Sequence, residues 1–278
     1  TLYIPETVTL CDENVPLGYA DVRERLETQL MILSNQRVQV TLWFQRKDQY
    51  FPTIEMVLKR KKMHADLVYI PVIESSLITR ARSRSNALGL WQFMEPTAQE
   101  KGLTIADELD ERLHVEKATE AALKYLSELR TEFGSWFTAL AAYNVGPGRI
   151  REEIYNQGTS NYFEMVLPDE TERYVFNAIS AKLIMEHPEE YGFSLDRMQP
   201  FSSVESREMD IRLNNFVPVK ILAYCAGTHY RAFRQLNPWM TGVNLPKGSY
   251  KIKIPVDATG MFSVRLGEYF DQIKGFVT

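Results

Sequence analysis

Glu74 is the residue of this sequence best placed for acid–base chemistry. It directly follows the apolar run 69–73, so its carboxyl is expected at the edge of a hydrophobic core. Partial desolvation raises the pKa of a carboxyl group, and a general acid must hold its proton near neutral pH. Taken alone, the stretch is also typical of a polar residue that opens the next helix, so residues further along the chain must decide.

Four sequence blocks follow one another in order and give Glu74 its context. They read Glu-Ser-Ser at 74–76, Ser-Arg-Ser-Asn-Ala-Leu-Gly-Leu-Trp-Gln-Phe-Met at 83–94 with Pro-Thr-Ala at 96–98, Ala-Ala-Tyr-Asn-Val-Gly-Pro-Gly at 141–148, and Leu-Pro-x-Glu-Thr-x-x-Tyr-Val at 167–175. Together they resemble the signature of the lytic transglycosylases of the goose-lysozyme superfamily, glycoside hydrolase family 23. Gly-Leu-Trp-Gln at 89–92 is similar to the membrane-bound lytic transglycosylase D branch.

The resemblance implies that Glu74 is the only catalytic acid/base. It would protonate the glycosidic oxygen between N-acetylmuramic acid and N-acetylglucosamine. It would then take the proton of the muramic 6-hydroxyl as that oxygen attacks the anomeric carbon, leaving a 1,6-anhydro end. Ordinary glycosidases need two carboxylates, and no second acid with a matching role accompanies Glu74 in the signature.

The same resemblance assigns substrate-binding roles to four polar residues. Ser83 and Ser85 would form hydrogen bonds near the cleaved bond, and Ser83 would support either the acetamido group or Glu74. Gln92 and Asn144 would bind sugar hydroxyls and amides. Without the family context, the two serines are typical of an ordinary loop.

Aromatic residues complete the set that the resemblance implies. Tyr143 would orient Glu74, and Tyr174 would lie on the wall of the cleft. A tyrosine within an apolar helix is, by itself, more often a core residue whose hydroxyl has a partner. Trp91 is equally consistent with stacking on a sugar and with packing, whereas Phe93 is expected to pack.

The segment after Glu-Ser-Ser departs from the family pattern. Leu-Ile-Thr-Arg-Ala-Arg at 77–82 replaces the usual aromatic residue or Asn followed by Pro, although the spacing from Glu74 to Ser83 is kept. Arg80, Arg82 and Arg84 therefore bring positive charge close to the expected cleft. They are typical of a solvated surface, and the alternative is recognition of stem-peptide carboxylates, which suits the planar guanidinium. Both interpretations stay open.

Composition excludes several classes of protein. Of the 278 residues, 45% are hydrophobic and 24% are charged, which is typical of a globular chain. A net charge of −4 argues against a nucleic-acid partner, and no apolar run is long enough to span a membrane. The two cysteines exclude a disulfide framework, although pairing of Cys11 with Cys225 stays open. The four histidines are isolated in sequence, which argues against a metal site. An organic cofactor is not implied either.

Apolar periodicity predicts helices before residue 200 and a change of texture after it. One predicted helix starts at Asp21, and others cover 53–63, 115–130, 135–144 and about 171–185. Pro52 marks the start of the helix at 53–63, and Gly-Pro-Gly at 146–148 marks the end of the helix at 135–144. Residues 1–17 are expected to be an extended lead-in. Beyond Pro200, the pattern predicts strands at 205–213 and 250–254 around helices at 218–226 and 230–236.

These elements predict a mainly α protein of three segments. We expect an N-terminal extension at 1–50 that wraps the core, a lysozyme-like all-helical catalytic domain at 51–200, and a small α+β unit at 201–278. The last segment resembles a LysM-type module, through Val217-Pro218, Leu236-Asn237-Pro238 and Ile254-Pro255. Such a unit would either bind N-acetylglucosamine polymers or only pack against the catalytic domain.

The function that these expectations favour is cleavage of peptidoglycan by a lytic transglycosylase of the periplasm or cell envelope. No signal peptide is recognised at Thr1, so the compartment is inferred from the function. Attachment to the outer membrane through a segment outside this sequence is compatible with this expectation. One alternative is a muramidase on the same fold that uses water, which a second carboxylate facing Glu74 would favour. The other is a non-catalytic glycan-binding or scaffold protein that has kept the fold.

Overall fold

A computed structural model describes residues 2–201 and 204–275. The described residues form two compact units. The first comprises the residues up to Met94 together with Val115–Phe201, and the second comprises Glu95–His114 together with the residues after 203. The predicted boundary at 50/51 lies inside a helix, and residues 95–114 belong to the second unit rather than to a continuous segment 51–200.

Helices dominate the described part of the chain. They are α1 Ala20–Asn35, α2 Arg37–Lys61, α3 Ile70–Ser75, α4 Glu95–Glu100, α5 Val115–Phe133, α6 Trp136–Val145, α7 Pro147–Gln157, α8 Asp169–Glu186, α9 Val219–Cys225, α10 Tyr230–Leu236 and α11 Thr259–Gly275. Short 3₁₀ helices lie at Ala65–Tyr69, Glu111–Leu113, Tyr162–Glu164, Pro188–Tyr191, Leu195–Arg197 and Val256–Ala258. The mainly helical fold expected from the sequence is therefore confirmed.

Strands form four two-stranded antiparallel pairs among the described residues. They are β1 Thr9–Leu10 with β2 Glu13–Asn14, β3 Ile105–Ala106 with β4 Leu109–Asp110, β5 Ser206–Leu213 with β8 Gly248–Pro255, and β6 Val217–Pro218 with β7 Asn244–Leu245. The hairpin β1–β2 lies within the stretch that was expected to be an extended lead-in.

The core of the first unit is built by helices α1, α5, α6 and α8. Helix α1 buries Val22, Leu26 and Leu30, the apolar stripe that the sequence predicts. Helix α6 buries six consecutive residues from Phe137 to Ala142, so it is surrounded by other elements, including α5 and α8. The segment before residue 50 is thus part of this core rather than a layer around it. No described helix combines the length and the apolar character that crossing a membrane requires.

Helix α2 contradicts the prediction that a helix begins after Pro52. It runs from Arg37 to Lys61 with Pro52 inside it. Proline has no N–H to donate to the carbonyl one turn earlier, and an interior proline normally breaks or bends a helix. Here, buried side chains on both sides of Pro52 keep one helix packed against the core, namely Val40, Trp43, Phe44, Ile54, Val57 and Leu58.

The Gly-Pro-Gly segment separates two helices instead of only ending one. Gly146 caps α6 with φ 95° and ψ 142°, a conformation that suits glycine. Pro147 then occupies the first turn of α7, where its missing N–H has no consequence for the helix. Helix α7 was not predicted, because its start was interpreted as a helix stop.

A buried cluster ties the β1–β2 hairpin to the first unit. The ligand-type atoms of Cys11, His64 and Asp66 lie within 4.8 Å of one another. Lys182 Nζ lies 2.8 Å from Asp66 Oδ2 and donates to the Thr9 carbonyl at 3.1 Å. The same carboxylate accepts the Cys11 N–H at 2.8 Å. The ammonium therefore neutralises a buried carboxylate. Cys11 and Cys225 are both buried free thiols, so they form no disulfide.

Replacing Lys182 with Met is expected to lower the free energy of unfolding by about 2 kcal/mol, because the buried Asp66 carboxylate loses its counter-charge. Chemical denaturation followed by circular dichroism measures the change. Lys124→Met, at an exposed position of α5, is the matched control and should shift the value by less than about 0.5 kcal/mol. Equal values for the two variants would contradict this role of Lys182.

The second unit contains a strand–helix–helix–strand arrangement. Strands β5 and β8 pair along their full length, from Ser206 opposite Pro255 to Leu213 opposite Gly248. Helices α9 and α10 lie between them in sequence, and Phe233, Ile252 and Phe262 are fully buried. The four predicted elements are confirmed, whereas helix α11 was not predicted.

Residues 95–114 join the second unit through backbone hydrogen bonds. The Asp110 N–H donates to the Trp239 carbonyl at 2.8 Å, and the Thr241 and Gly242 N–H groups both donate to the Glu108 carbonyl at 2.9 Å. A Cβ at position 242 would lie 2.7 Å from the Glu108 Cα, so this approach needs glycine. These contacts join segments that are far apart in sequence, which periodicity cannot detect.

Candidate active site

Glu74 lies near the end of the short helix α3, whose earlier residues Ile70, Pro71 and Val72 are buried. The helix ends at Ser76, which has the left-handed φ of 51°. Arg46 Nη1 donates to the Ser76 carbonyl at 2.8 Å and satisfies a helix-end acceptor. Glu74 itself is partly exposed. A helix end with a satisfied carbonyl thus leaves the Glu74 side chain partly exposed.

The Glu74 carboxyl has a strongly raised pKa. Desolvation by the surrounding protein is the largest cause, the hydrogen bond from Tyr174 opposes it, and the charge of Glu170 adds to it. The result is a pKa raised from the usual 4.5 to about 7. A carboxyl group with this pKa holds a proton near neutral pH and can release it, as general acid–base catalysis requires.

Tyr174 is the residue that contacts Glu74 directly. Its hydroxyl donates to Glu74 Oε1 at 2.5 Å. Tyr174 is buried in α8, which packs against α3, and burial beside Glu74 raises the pKa of its phenol well above 10. The residue expected on the cleft wall therefore fixes the orientation of the carboxyl group.

Tyr143 does not make the direct contact that was expected of it. Its hydroxyl donates to the Trp91 carbonyl at 2.7 Å. Burial, followed by the nearby Glu74 charge, raises the pKa of its phenol, so Tyr143 stays a neutral donor near the carboxyl. Its position on α6 directs the hydroxyl to the 88–93 segment, and Tyr143 anchors this segment instead of holding Glu74.

The segment after α3 has an unusual backbone conformation. Seven described residues other than glycine have a positive φ, and four of them lie between residues 76 and 92, namely Ser76, Leu77, Asn86 and Gln92. Gln92 Nε2 donates to the carbonyls of Ala81 (3.1 Å) and Gly89 (2.8 Å), which joins both ends of the loop. Backbone strain of this kind concentrates at functional sites. The predicted sugar ligand Gln92 therefore uses its amide N–H groups to hold the loop.

The remaining predicted ligands have different surroundings. Ser83 Oγ accepts the Ala87 N–H at 3.0 Å, and Ser85 is exposed. Asn144 Oδ1 accepts the hydroxyl of Thr171 at 2.9 Å, which links the third and fourth sequence blocks. Within the described residues, none of these three side chains forms a hydrogen bond with Glu74. Their roles toward a sugar stay predictions.

Trp91 and Phe93 are packing residues. Trp91 is fully buried, and its indole N–H donates to Thr119 Oγ1 at 3.0 Å. Phe93 is 3% exposed and packs edge-on against Tyr143 with ring centroids 6.5 Å apart. The question left open for Trp91 is thus decided in favour of packing.

Glu170 is a second carboxylate close enough to influence Glu74, and it was not among the predicted site residues. It is exposed in the first turn of α8 and precedes Tyr174 by one helical turn. Its charge is the smallest of the three causes that shift the Glu74 pKa. Glu170 lies four residues before Tyr174 in the fourth sequence block, so both side chains lie on the same face of α8, and this spacing could have identified Glu170.

The arrangement supplies one carboxyl group that can act as a proton donor and, once ionised, as a proton acceptor. The hydroxyl of Tyr174 occupies one oxygen of Glu74, so the other oxygen is available for a proton. A carboxyl of this kind can protonate a leaving oxygen and, once ionised, accept a proton from an attacking hydroxyl.

The segment after α3 carries three exposed arginines, Arg80, Arg82 and Arg84. Arg82 Nη1 donates to Asn86 Oδ1 at 3.4 Å.

Comparison with known proteins gives three findings. Residues 52–166 match the profile of the Transglycosylase SLT domain. The Membrane-bound lytic murein transglycosylase D of Escherichia coli (strain K12) is 29% identical over 217 residues, which cover 76% of this chain and 47% of that protein. The Peptidoglycan transglycosylase gp16 of Escherichia phage T7 is 39% identical over 90 residues, 31% of this chain and 7% of that protein.

The solved structures include a similar protein. The X-ray structure of an inactive mutant of the lytic transglycosylase Slt from Pseudomonas aeruginosa is 28% identical with a TM-score of 0.42, and the match covers 54% of this chain and 25% of that chain. The present chain spans about half the length of the first curated relatives that it matches.

Proposed function

We propose that this chain, which contains a transglycosylase SLT domain over residues 52–166, is a peptidoglycan lytic transglycosylase. The observation that carries the proposal is the Glu74 carboxyl, which has a pKa of about 7 and is held by Tyr174. Relatives named for transglycosylase action on murein and peptidoglycan support the same reaction class. The substrate is the glycan strand, and the cleaved bond joins N-acetylmuramic acid to N-acetylglucosamine.

In the proposed reaction, Glu74 acts twice. As an acid, it gives its proton to the glycosidic oxygen while the bond from this oxygen to the anomeric carbon of the muramic sugar breaks. As a carboxylate, it then takes the proton of the 6-hydroxyl of the same sugar while that oxygen forms the new bond to the anomeric carbon. The products are a 1,6-anhydro end and a free 4-hydroxyl, and Glu74 regains its proton without consuming water.

Glu74 serves as the single acid/base in this proposal, and the substrate supplies the nucleophile. Ordinary glycosidases place a second carboxylate opposite the acid. Glu170 is a second carboxylate whose charge acts on Glu74, so it is the residue to compare with the second carboxylate of a hydrolytic muramidase. Its exposure and its small influence on Glu74 favour the transglycosylase, and the products distinguish the two reactions.

Release of soluble fragments from purified insoluble peptidoglycan tests the proposal at the level of activity. The wild-type chain is expected to release muropeptides. Binding to the intact wall without any release would favour the non-catalytic glycan-binding alternative instead.

The rate is expected to fall as the pH rises above about 7, by about tenfold per pH unit, because only the protonated form of Glu74 can act on the glycosidic oxygen. The sign follows from desolvation, which raises the pKa and keeps the acid form at neutral pH. Initial rates between pH 5 and pH 9 at constant ionic strength measure this fall, which is the alkaline limb of the pH–rate profile. An alkaline limb with its midpoint near 4.5, the usual pKa of a glutamate carboxyl, would show that Glu74 does not have the expected environment.

The place of action follows from the substrate. A chain that cleaves peptidoglycan acts in the periplasm or at the cell envelope, and the membrane-bound relative agrees with this location. The second unit is proposed to be LysM-like, since β5, α9, α10 and β8 follow in that order and the two strands pair.

A further inference from the structure

A shallow cavity of about 520 Å³, widely open to solvent, lies at the end of α3, the helix that carries Glu74. The start of α2 and the chain after α3 form its walls, with Gln39, Leu42, Ser76 and Ile78 among the lining residues. Ser76 follows Glu74 by two residues, so their Cα atoms are at most about 7 Å apart. The volume falls within the roughly 300–1,000 Å³ of ligand pockets, but this cavity is open rather than enclosed, which suits one end of a larger ligand.

The charged residues that line this cavity are two arginines, Arg37 and Arg46, and none of its lining residues is acidic. Each guanidinium is held in place. Arg46 Nη1 donates to the Ser76 carbonyl at 2.8 Å. Arg37 Nη2 donates to the Gly192 carbonyl at 2.5 Å, and its guanidinium carbon lies 4.5 Å from the centre of the Phe193 ring. A guanidinium has five N–H donors, so one bond does not exhaust it.

Held guanidinium groups suit carboxylate ligands, because little side-chain freedom remains to be lost on binding. The chain as a whole carries a net charge of −4, whereas the residues that line this cavity carry two positive charges and no negative charge. Leu42 and Ile78 add apolar surface beside the charges. The combination fits a ligand with a carboxylate and short apolar side chains.

We propose that this cavity binds the carboxylate-bearing peptide that branches from the muramic sugar of the glycan cleaved at Glu74. The inference rests on the proposed function for the nature of the glycan and goes beyond it in assigning the peptide branch to Arg37 and Arg46. It is distinct from the loop arginines at 80, 82 and 84, which do not line the cavity.

Opposite charges placed at Val38 test the proposal. Val38 lines the cavity, is 77% exposed and lies in the first turn of α2. Val38→Glu is expected to lower the ratio of cleavage rates, peptide-bearing strands over amidase-stripped strands, about fivefold by repelling the peptide carboxylates. Val38→Lys should keep or raise this ratio. The helix dipole favours Glu over Lys at this position, so lower helix stability cannot explain a loss with Glu.

Tyr155→Glu, at an exposed position of α7, is the control for an added negative charge and should keep the wild-type ratio. A direct measurement uses the free stem tetrapeptide as the probe in equilibrium titrations that need no catalysis. Its dissociation constant should rise about fivefold in Val38→Glu, and amidation of its carboxylates should weaken binding to the wild type.

Two results would overturn the proposal: a rate ratio that both Val38 variants leave at the wild-type value, or tetrapeptide binding that neither variant changes. A wild-type chain that binds the tetrapeptide with the expected charge dependence but cleaves neither glycan would reject the proposed function and still support the cavity as a peptide site. Failure of the two inferences is therefore distinguishable.

Discussion

Replacing Glu74 with Gln is expected to lower the rate of peptidoglycan cleavage by at least about 10³-fold. Glutamine keeps nearly the same volume and can still accept the hydrogen bond of Tyr174, but it can neither give nor take the proton. Glu74 performs both proton transfers of the proposed reaction, and each such transfer typically contributes about 10²- to 10⁴-fold. The release of soluble fragments per unit time measures the loss.

Two controls make this result specific. Glu74→Gln should keep the unfolding temperature and the binding of insoluble peptidoglycan, which shows that only chemistry is lost. Glu170→Gln removes the other nearby carboxylate and should retain activity within about threefold, because Glu170 is exposed and has only a minor influence on Glu74. Cleavage at the wild-type rate by Glu74→Gln would contradict the assignment of the acid.

Tyr174→Phe is expected to lower the rate at neutral pH on the order of 10²-fold, since the carboxyl group loses the hydrogen bond that fixes its orientation. It should also move the alkaline limb of the pH profile. The hydrogen bond from Tyr174 lowers the pKa of Glu74, so its removal raises this pKa further and shifts the limb to higher pH. Rates measured across the pH range report both effects.

Tyr143→Phe is the matched control for this substitution. It removes a buried hydroxyl from the same region, but its hydrogen bond goes to the Trp91 carbonyl. Tyr143→Phe should therefore lower stability by about 1 kcal/mol and leave the position of the alkaline limb unchanged. A shift of the alkaline limb in Tyr143→Phe would contradict the roles given to the two tyrosines, and so would an unshifted limb in Tyr174→Phe.

Local sequence patterns were sufficient for several elements of the fold. Helix α10 occupies the predicted residues 230–236, and the predicted helix at 115–130 continues only to Phe133. These elements have clear apolar spacing and clear ends. Pro52 was misleading for α2, because burial of side chains on both sides of a proline depends on the rest of the fold.

The candidate site was predictable in its residue types but not in its contacts. The apolar run before Glu74 correctly indicated a desolvated carboxyl. Which tyrosine reaches it depends on how α6 and α8 pack against the rest of the unit, and sequence spacing contains no such distance. The cavity at Arg37 and Arg46 was out of reach for the same reason, because it joins segments about forty residues apart in sequence.

The mass of the fragments released from purified peptidoglycan tests the central claim most directly. The proposed reaction predicts muropeptides that are one water lighter than the hydrolytic products, with anhydro-muramic ends and no new reducing ends. Fragments with reducing muramic ends would contradict it, because they would show that water is the acceptor and that the chain is a muramidase.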